Sequence, residues 1–372
     1  MNKTSQSPRF IKTWPAILFA AYLVVSPVFA TDYFYFGKGE GARIDRADLY
    51  STTDGSTSPA TTEPGPGDNL FFYNSTVTTP ANLTLYTGPG REGRTRAYNS
   101  MTFRANCGAT QIDRSSYPDN DATVLAIGAG GISLESGAGP VTFGQPAKSK
   151  KEQRVVVGAA ADLTITNNSS NDLTFQRVFD GRSENTMHTV TVAGSGSGNT
   201  VFVDGIKAGR NGRNLAMSIN ASGTGAVKFE GDNNYTGPTT VAAGKLFVNG
   251  DGSEATGPIS VSADAALGGS GRIGGDVTIA TNGRLEFNLG TSPKDHNSLT
   301  IAARRTLTFA GDSVLAITSP GGSSIGKYKL LTALGGMLGA PPKTLNLPKG
   351  WKGTVSIDGN HLVLHLTSVG TP

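Results

Sequence analysis

One short pattern recurs in register along this chain and limits the fold more than any other feature. "VAAGKL" at Val241–Leu246 is followed by "VSADAAL" at Val261–Leu267, "IATNGRL" at Ile279–Leu285 and "IAARRTL" at Ile301–Leu307. The β-branched anchors step by 20, 18 and 22 residues and the leucines by 21, 18 and 22. Gly, Ala, Asp, Asn or Arg lie between each pair, and such residues make a turn. Upstream, "VGAAADL" at Val157–Leu163 repeats the pattern.

Apolar residues alternate with polar ones around the anchors: Ile259 and Val261, Val277 and Ile279, Leu285 and Phe287, Leu299 and Ile301, Leu307 and Phe309. Period-2 pairs of this kind place one apolar face inward. Strand, tight turn, strand and longer turn, repeated about every 20 residues, is one coil of a β-solenoid. A single coil cannot bury its inner face, whereas stacked coils share a core and pair their backbones. The expected fold is all-β, a right-handed parallel β-helix with coils of about 20 residues. The alternative is a β-sandwich, whose strands also recur every 8–12 residues.

Composition agrees with many short strands. The chain holds 50 Gly in 372 residues, roughly double the usual share, and tight corners that need positive φ would use them. No stretch of ten or more residues after Ala30 has helical periodicity. Cys107 is the only cysteine, so stability must come from a packed core and not from intrachain disulfides.

The first thirty residues differ from the rest. Lys3, Arg9 and Lys12 precede the apolar run "WPAILFAAYLVV" and the small-residue ending Val28-Phe29-Ala30, the layout of a signal peptide. Cleavage is expected between Ala30 and Thr31, giving an exported, secreted or cell-surface chain with no transmembrane domain after processing. Removal of this segment takes away three positive charges and no negative one, so the net charge falls from +4 to +1. The basic runs "GREGRTR", "KSKKEQR" and Arg304-Arg305 lack interleaved aromatics, so no nucleic-acid partner is expected. Four segments are expected: the signal peptide at 1–30, an irregular cap and Pro/Gly/Ser/Thr loop at 31–69, less regular coils at 70–224, and regular coils with closing strands at 225–372.

"GAVKFEGDNNYTGPTTVAAGKLFVNGDGS" and the following "GPISVSADAALGGSGRIGGDVTIATNGRLEF" resemble the autotransporter-associated β-strand repeat, also called the passenger-associated transport repeat. The positions that match are Asn233, Tyr235, Thr236, Gly237, Thr239, Thr240, Val241, Gly244, Leu246, Val248, Asn249 and Gly250, then Leu267, Gly268, Gly269, Gly271, Ile273, Gly274 and Gly275. "PGPGDNLFFYNSTV", "VVVGAAADLTITNNSSNDLTF" and "GSGSGNTVFVDG" are similar to companion segments of large bacterial surface proteins. The resemblance implies a secreted or surface-exposed parallel β-helix, with the repeat assisting passenger folding during export. One clear copy is present, and no C-terminal run of about 10-residue barrel strands follows; a separately encoded outer-membrane partner is the corresponding expectation.

Local motifs have structural explanations. Gly269–Gly274 fits GxGxxG, but the strand-like "GDVTIAT" follows where a dinucleotide site needs a helix. "GGSGRI" places Ile273 where the calcium nonapeptide needs Asp. Asp251, Asp264 and Asp276 read as turn residues. His361 and His365 share a strand face about 13 Å apart, too far to grip one metal. Asp264 with Arg284 and Asp162 with Arg182 are 20 apart, without the paired carboxylates that glycoside chemistry needs. The aromatics between Tyr33 and Tyr73 suit a carbohydrate platform or an N-terminal cap equally. The expected protein has no catalytic, cofactor or metal residues. It is a structural or adhesive rod whose partners are glycans, matrix or cell-surface proteins. The alternatives are a carbohydrate-active β-helix enzyme and an export-assisting module.

Overall fold

The computed structural model describes residues 30–36, 42–73, 75, 83–86, 95–113, 123–145, 155–177, 179–181, 186–208, 215–294, 296, 298–319 and 322–370. The expected signal peptide up to Phe29, the run Lys148–Arg154, residues 90–94 of the other basic run, and Arg182 lie outside them.

Successive strands pair in parallel with the strand one coil later. The first sheet runs from Asp32–Tyr35 through Leu163–Asn167, Leu215–Ala221, Thr239–Ala243, Ile259–Val261 and Val277–Ile279 to Met337–Leu338. The second sheet is 12-stranded and includes Leu173–Phe175, Thr200–Phe202, Val227–Phe229, Lys245–Val248, Ala266–Gly268, Arg284–Asn288 and Val314–Thr318. At the usual spacing between paired strands this makes a rod about 50 Å long. A third sheet begins at Asp251–Gly252 and continues through Arg272–Ile273 and Leu299–Ile301 to Gly326–Ala333. There His361–Ser368 and then Lys352–Asp358 add antiparallel. Parallel pairing between coils identifies the solenoid and removes the sandwich alternative.

The coil of about 20 residues is one size class among several. In the first sheet Leu163 faces Val190, which faces Met217, steps of 27 residues. The steps then shorten to 22, 20 and 18 through Thr239, Ile259 and Val277, and lengthen to 30 through Leu307 and Met337. The column Val241, Val261, Ile279 passes to Phe309, not to Ile301. Ile301 lies in the third sheet between Ile273 and Ala333. Similarly, Leu246, Leu267 and Leu285 lead to Leu315, while Leu307 faces Val277. The apparent 22-residue step therefore joined two faces, because the strand Leu299–Ile301 is inserted into that coil. Val157 and Leu163 both lie in the first sheet, so "VGAAADL" does not turn from one sheet to the next.

All five expected inward pairs are buried. Large aromatics continue the core towards the N-terminus. Phe103, Phe143, Phe175, Phe202 and Phe229 follow one another with ring centroids 5.0–6.0 Å apart, the middle three stacked and the two end pairs edge-on. Tyr33, Tyr35, Phe72 and Tyr73 are buried as well, so they build the cap core and not a platform. Phe34 and Phe71 stack at 4.8 Å beneath the Arg104 guanidinium.

Most glycines of the repeat serve a purpose other than the positive φ expected for corners. Gly244 and Gly269 do have φ of 80° and 117°. Gly237, Gly257 and Gly275 instead form a column in which a Cβ on Gly257 or Gly275 would strike the carbonyl oxygen of the glycine one coil before. Gly231, Gly250 and Gly271 form a second such column. Close approach of stacked backbones excludes a side chain there.

Polar turn residues tie each coil to the next. Asp162 accepts from Thr189 N at 2.7 Å, Asp172 from Asn199 N at 2.7 Å, and Asp276 from Thr306 N at 2.8 Å. The Thr306 backbone bond, with its hydroxyl and Arg305 adding to it, holds the Asp276 carboxyl below its ordinary value. The side-chain and backbone bonds of Ser253 do the same for Asp251. A depressed folded pKa contributes stability above the unfolded carboxylate pKa, and this is lost as pH falls through the folded value. The urea midpoint is therefore expected to be flat from neutral pH to about 5 and to fall below about pH 4. Asp276→Asn should flatten part of that fall; an unchanged acid limb would remove these carboxylates from the account.

Candidate functional site

The buried side chains of the second sheet decide what its outer face presents. Val227 and Phe229, Leu246 and Val248, Leu267, and Leu285 and Phe287 point into the core. Strand alternation then sends Lys228, Phe247 and Glu286 outward, and the register aligns them in one row with Gly268. The neighbouring row carries Lys245, Ala266 and Arg284. Ala266 and Gly268 are the small residues of both rows, so the face sinks along their strand.

Phe247 extends over that strand. A Cβ on Gly268 would lie 2.9 Å from the Phe247 ring, so the missing side chain leaves the ring its place, the pairing of an aromatic with a cross-strand glycine. Lys245 Nζ reaches Glu286 Oε1 at 3.0 Å across the same strand. The result is a groove of about 580 Å³ whose walls include Lys228, Lys245, Phe247, Asn249, Glu286 and Asn288. A smaller hollow beside it, about 270 Å³, includes Asp264 and Arg284, which are ion-paired at 3.1 Å. Asn249 Nδ2 donates to the Glu230 carboxylate at 3.1 Å. The Lys228 side chain forms no hydrogen bond or ion pair among the described residues. His296 also lines it; burial lowers its pKa against a hydrogen bond to the Asn288 backbone that raises it. Its Nε2 is covered and has no hydrogen-bond partner.

The residues matched to the repeat are spread around the coil and not gathered at this groove. Asn233, Tyr235, Gly237, Thr239, Val241, Leu246 and Val248 are buried, as are Leu267, Gly268, Ile273, Gly274 and Gly275. Thr236 and Thr240 are exposed, and Gly244, Asn249, Gly250, Gly269 and Gly271 are half-buried. Of these, Asn249 and Gly269 line the groove.

Tyr235 is only 4% exposed, edge-on to Phe229 at 6.4 Å. Its hydroxyl lies 2.6 Å from Thr239 Oγ1, and burial pushes the phenol up to about 12 against that hydrogen bond. Asn233 is more than a turn residue. Its Oδ1 accepts from Ile206 N at 2.8 Å, its Nδ2 donates to Gly231 O at 3.0 Å, and its own N–H donates to Asp251 O at 2.9 Å. It joins three successive coils. Asn233→Ala leaves the buried Ile206 N–H without its acceptor, an expected loss of about 1–3 kcal/mol. A shift of the urea midpoint at unchanged slope reads this; an unshifted midpoint would mean another acceptor takes over.

The remaining candidates fall elsewhere. Ala30 is exposed, and Thr31 N donates to Asp68 Oδ1 at 3.1 Å. Gly269–Gly274 connects two strands, with no helix after it. His361 Nδ1 lies 3.0 Å from Thr332 Oγ1, while His365 points outward on the same strand. Asp251 pairs with Arg272 at 3.8 Å. Among the described residues no three His, Cys, Asp or Glu side chains are grouped as metal ligands, and no helix is long and apolar enough to cross a membrane. The groove residues Lys228, Phe247 and Glu286 carry no motif, although the steps of 21 and 18 residues from Phe247 through Gly268 to Glu286 repeat the leucine steps. The outward positions carry the same register as the inward ones, and that register aligns them.

No protein-family profile matches the chain. A stretch of 70 residues, 19% of the chain, is 49% identical to the adhesin BmaC autotransporter of Brucella suis biovar 1 and covers 2% of that protein's length. The chain is thus a parallel β-solenoid, part of which is similar to an autotransporter adhesin.

Proposed function

We propose that the chain is an exported adhesive β-solenoid of the autotransporter passenger type, binding through an extended surface and not through a catalytic pocket. The observation that carries this reading is the 49% identity of a 70-residue stretch to an autotransporter adhesin. The rod supports it. A core shared by stacked coils holds the outer faces in fixed register, so many weak contacts act together with high effective concentration. The repeat resemblance and the expected signal peptide support a working location outside the cell.

The non-enzymatic reading is supported by the state of the groove carboxylate. Glycoside hydrolysis needs two carboxyl groups flanking one bond. Glu286 is held by Lys245, and Glu230, beside a strand three places away in the second sheet, is held by Asn249. Purified mature chain is expected to bind glycan, matrix or cell-surface preparations saturably and to release no reducing sugar from polysaccharides. Sugar release without adhesion would overturn the proposal. Fractionation of the producing cells, with the N-terminus read, should find the chain exported and beginning at Thr31.

A further inference from the structure

We propose that the groove on the outer face of the second sheet is a subsite for a carboxylated glycan, a saccharide that carries isolated carboxylate groups among its hydroxyls. This rests on the adhesive reading and names its ligand class. Lys228 offers an ammonium with no partner in the described structure, and an ammonium has three donors and no acceptor. A ligand carboxylate would meet that charge directly. Lys245 and Glu286 neutralise each other and the Glu230 carboxylate outside the lining is engaged by the Asn249 amide, so among the lining side chains the Lys228 ammonium is the charge left to be matched. The Asn288 amide and the Glu286 carboxylate, both in the lining, offer donors and acceptors, the mixture that a row of sugar hydroxyls requires. Phe247, half-buried over Gly268, adds apolar area for the C–H face of a ring.

The position of the groove separates this ligand from others. It lies over a sheet face whose backbone groups are already paired between coils. An extended peptide seeking a sheet edge for strand addition has no free ladder here. A densely charged polyanion such as a nucleic acid or a heavily sulfated chain would bring several charges against Glu286 and find only one unpaired lysine. The lining reaches from Asn199 to Thr318, across six strands of the second sheet, on the order of 20 Å. That length suits a short oligosaccharide better than a single small solute.

The test uses the mature chain on an array of oligosaccharides with uronic or sialic acid residues, each beside its carboxyl-reduced counterpart. Binding is expected to the carboxylated members, with at least a tenfold loss on reduction. Lys228→Glu and Phe247→Ala should each weaken it at least tenfold, while Lys343→Ala, which removes an ion pair with Asp312 elsewhere, should leave it unchanged. Circular dichroism and melting of each variant establish that it is folded; should Phe247→Ala fail this check, Lys228→Glu alone decides. Equal binding to reduced and unreduced sugars, or binding unaffected by Lys228→Glu, overturns the subsite. Cell binding by the wild-type chain separates the two levels. Adhesion that persists without array binding, or through a surface protein and unchanged in Lys228→Glu, rejects the groove and keeps the adhesive reading. A chain that adheres to nothing rejects both.

Discussion

Gly275→Val is expected to destabilise the solenoid by about 3 kcal/mol or more, the range reached when a side chain is forced into closed packing. Gly275 stands one coil beyond Gly257, which stands one coil beyond Gly237. A Cβ at 275 would collide with Gly257 O, a backbone atom held by its own coil, so neither side can yield cheaply. Relief requires the coils to separate, which would strain the parallel pairing of Ile259 with Val277. Because each coil contacts chiefly its neighbours, such a break divides the stack. Unfolding followed by urea should begin earlier and broaden as the two parts lose their coupling. Gly67→Ala is the control: nothing lies within 4 Å of a Cβ there and its φ is not positive, so a change within about 0.5 kcal/mol is expected. Equal midpoints for Gly275→Val and wild type would mean that the coils are not stacked as closely as described.

Phe175→Ala has a comparable expected effect from the opposite cause. The Phe175 ring stacks on Phe143 at 5.2 Å and on Phe202 at 5.0 Å, and meets Phe179 edge-on at 5.4 Å. Truncation leaves a cavity between three coils whose backbones are fixed by parallel ladders on both sides. Little collapse is available, so the cost should fall near the upper part of the usual range, about 3–5 kcal/mol. Phe175→Leu keeps most of the volume and should cost less than half as much. The pair of midpoints distinguishes loss of volume from loss of a specific aromatic contact. If alanine and leucine destabilise equally, ring geometry and not volume carries the site.

The fold class was legible because the inward residues are periodic. Ile259 with Val261 and Val277 with Ile279 announce strands by alternation, and their recurrence in register announces stacking. The lengths of the outer coils were not legible. Insertion of Leu299–Ile301 changes the loop path without changing the local strand pattern, so Ile301 and Leu307 look like continuations of columns to which they do not belong. The glycines were legible as a composition but not as a cause. A sequence shows that Gly237, Gly257 and Gly275 recur; only the coil above each shows that a carbonyl oxygen fills the space of a side chain. Asn233 illustrates the same difficulty for polar groups. In the sequence it reads as a turn residue, and two of its three hydrogen bonds exist only because Ile206 and Asp251 come from neighbouring coils.

The candidate groove was hidden for a different reason. Lys228, Phe247 and Glu286 have no motif between them; they meet because their strands and the Gly268 strand lie side by side. An outward-facing row on a solenoid is free of core constraints, so its chemistry varies while the inward row stays apolar. Function on such a rod is written in the outer register, which periodicity can align but cannot interpret.

Adhesion of beads coated with the mature chain, measured on glycan, matrix and cell surfaces across a range of coating densities, tests the central claim most directly. An extended adhesive rod predicts attachment that rises more steeply than in proportion to density, with soluble chain a weak competitor, as multivalent contacts require. Attachment no greater than that of albumin-coated beads at every density, on every surface, would contradict it.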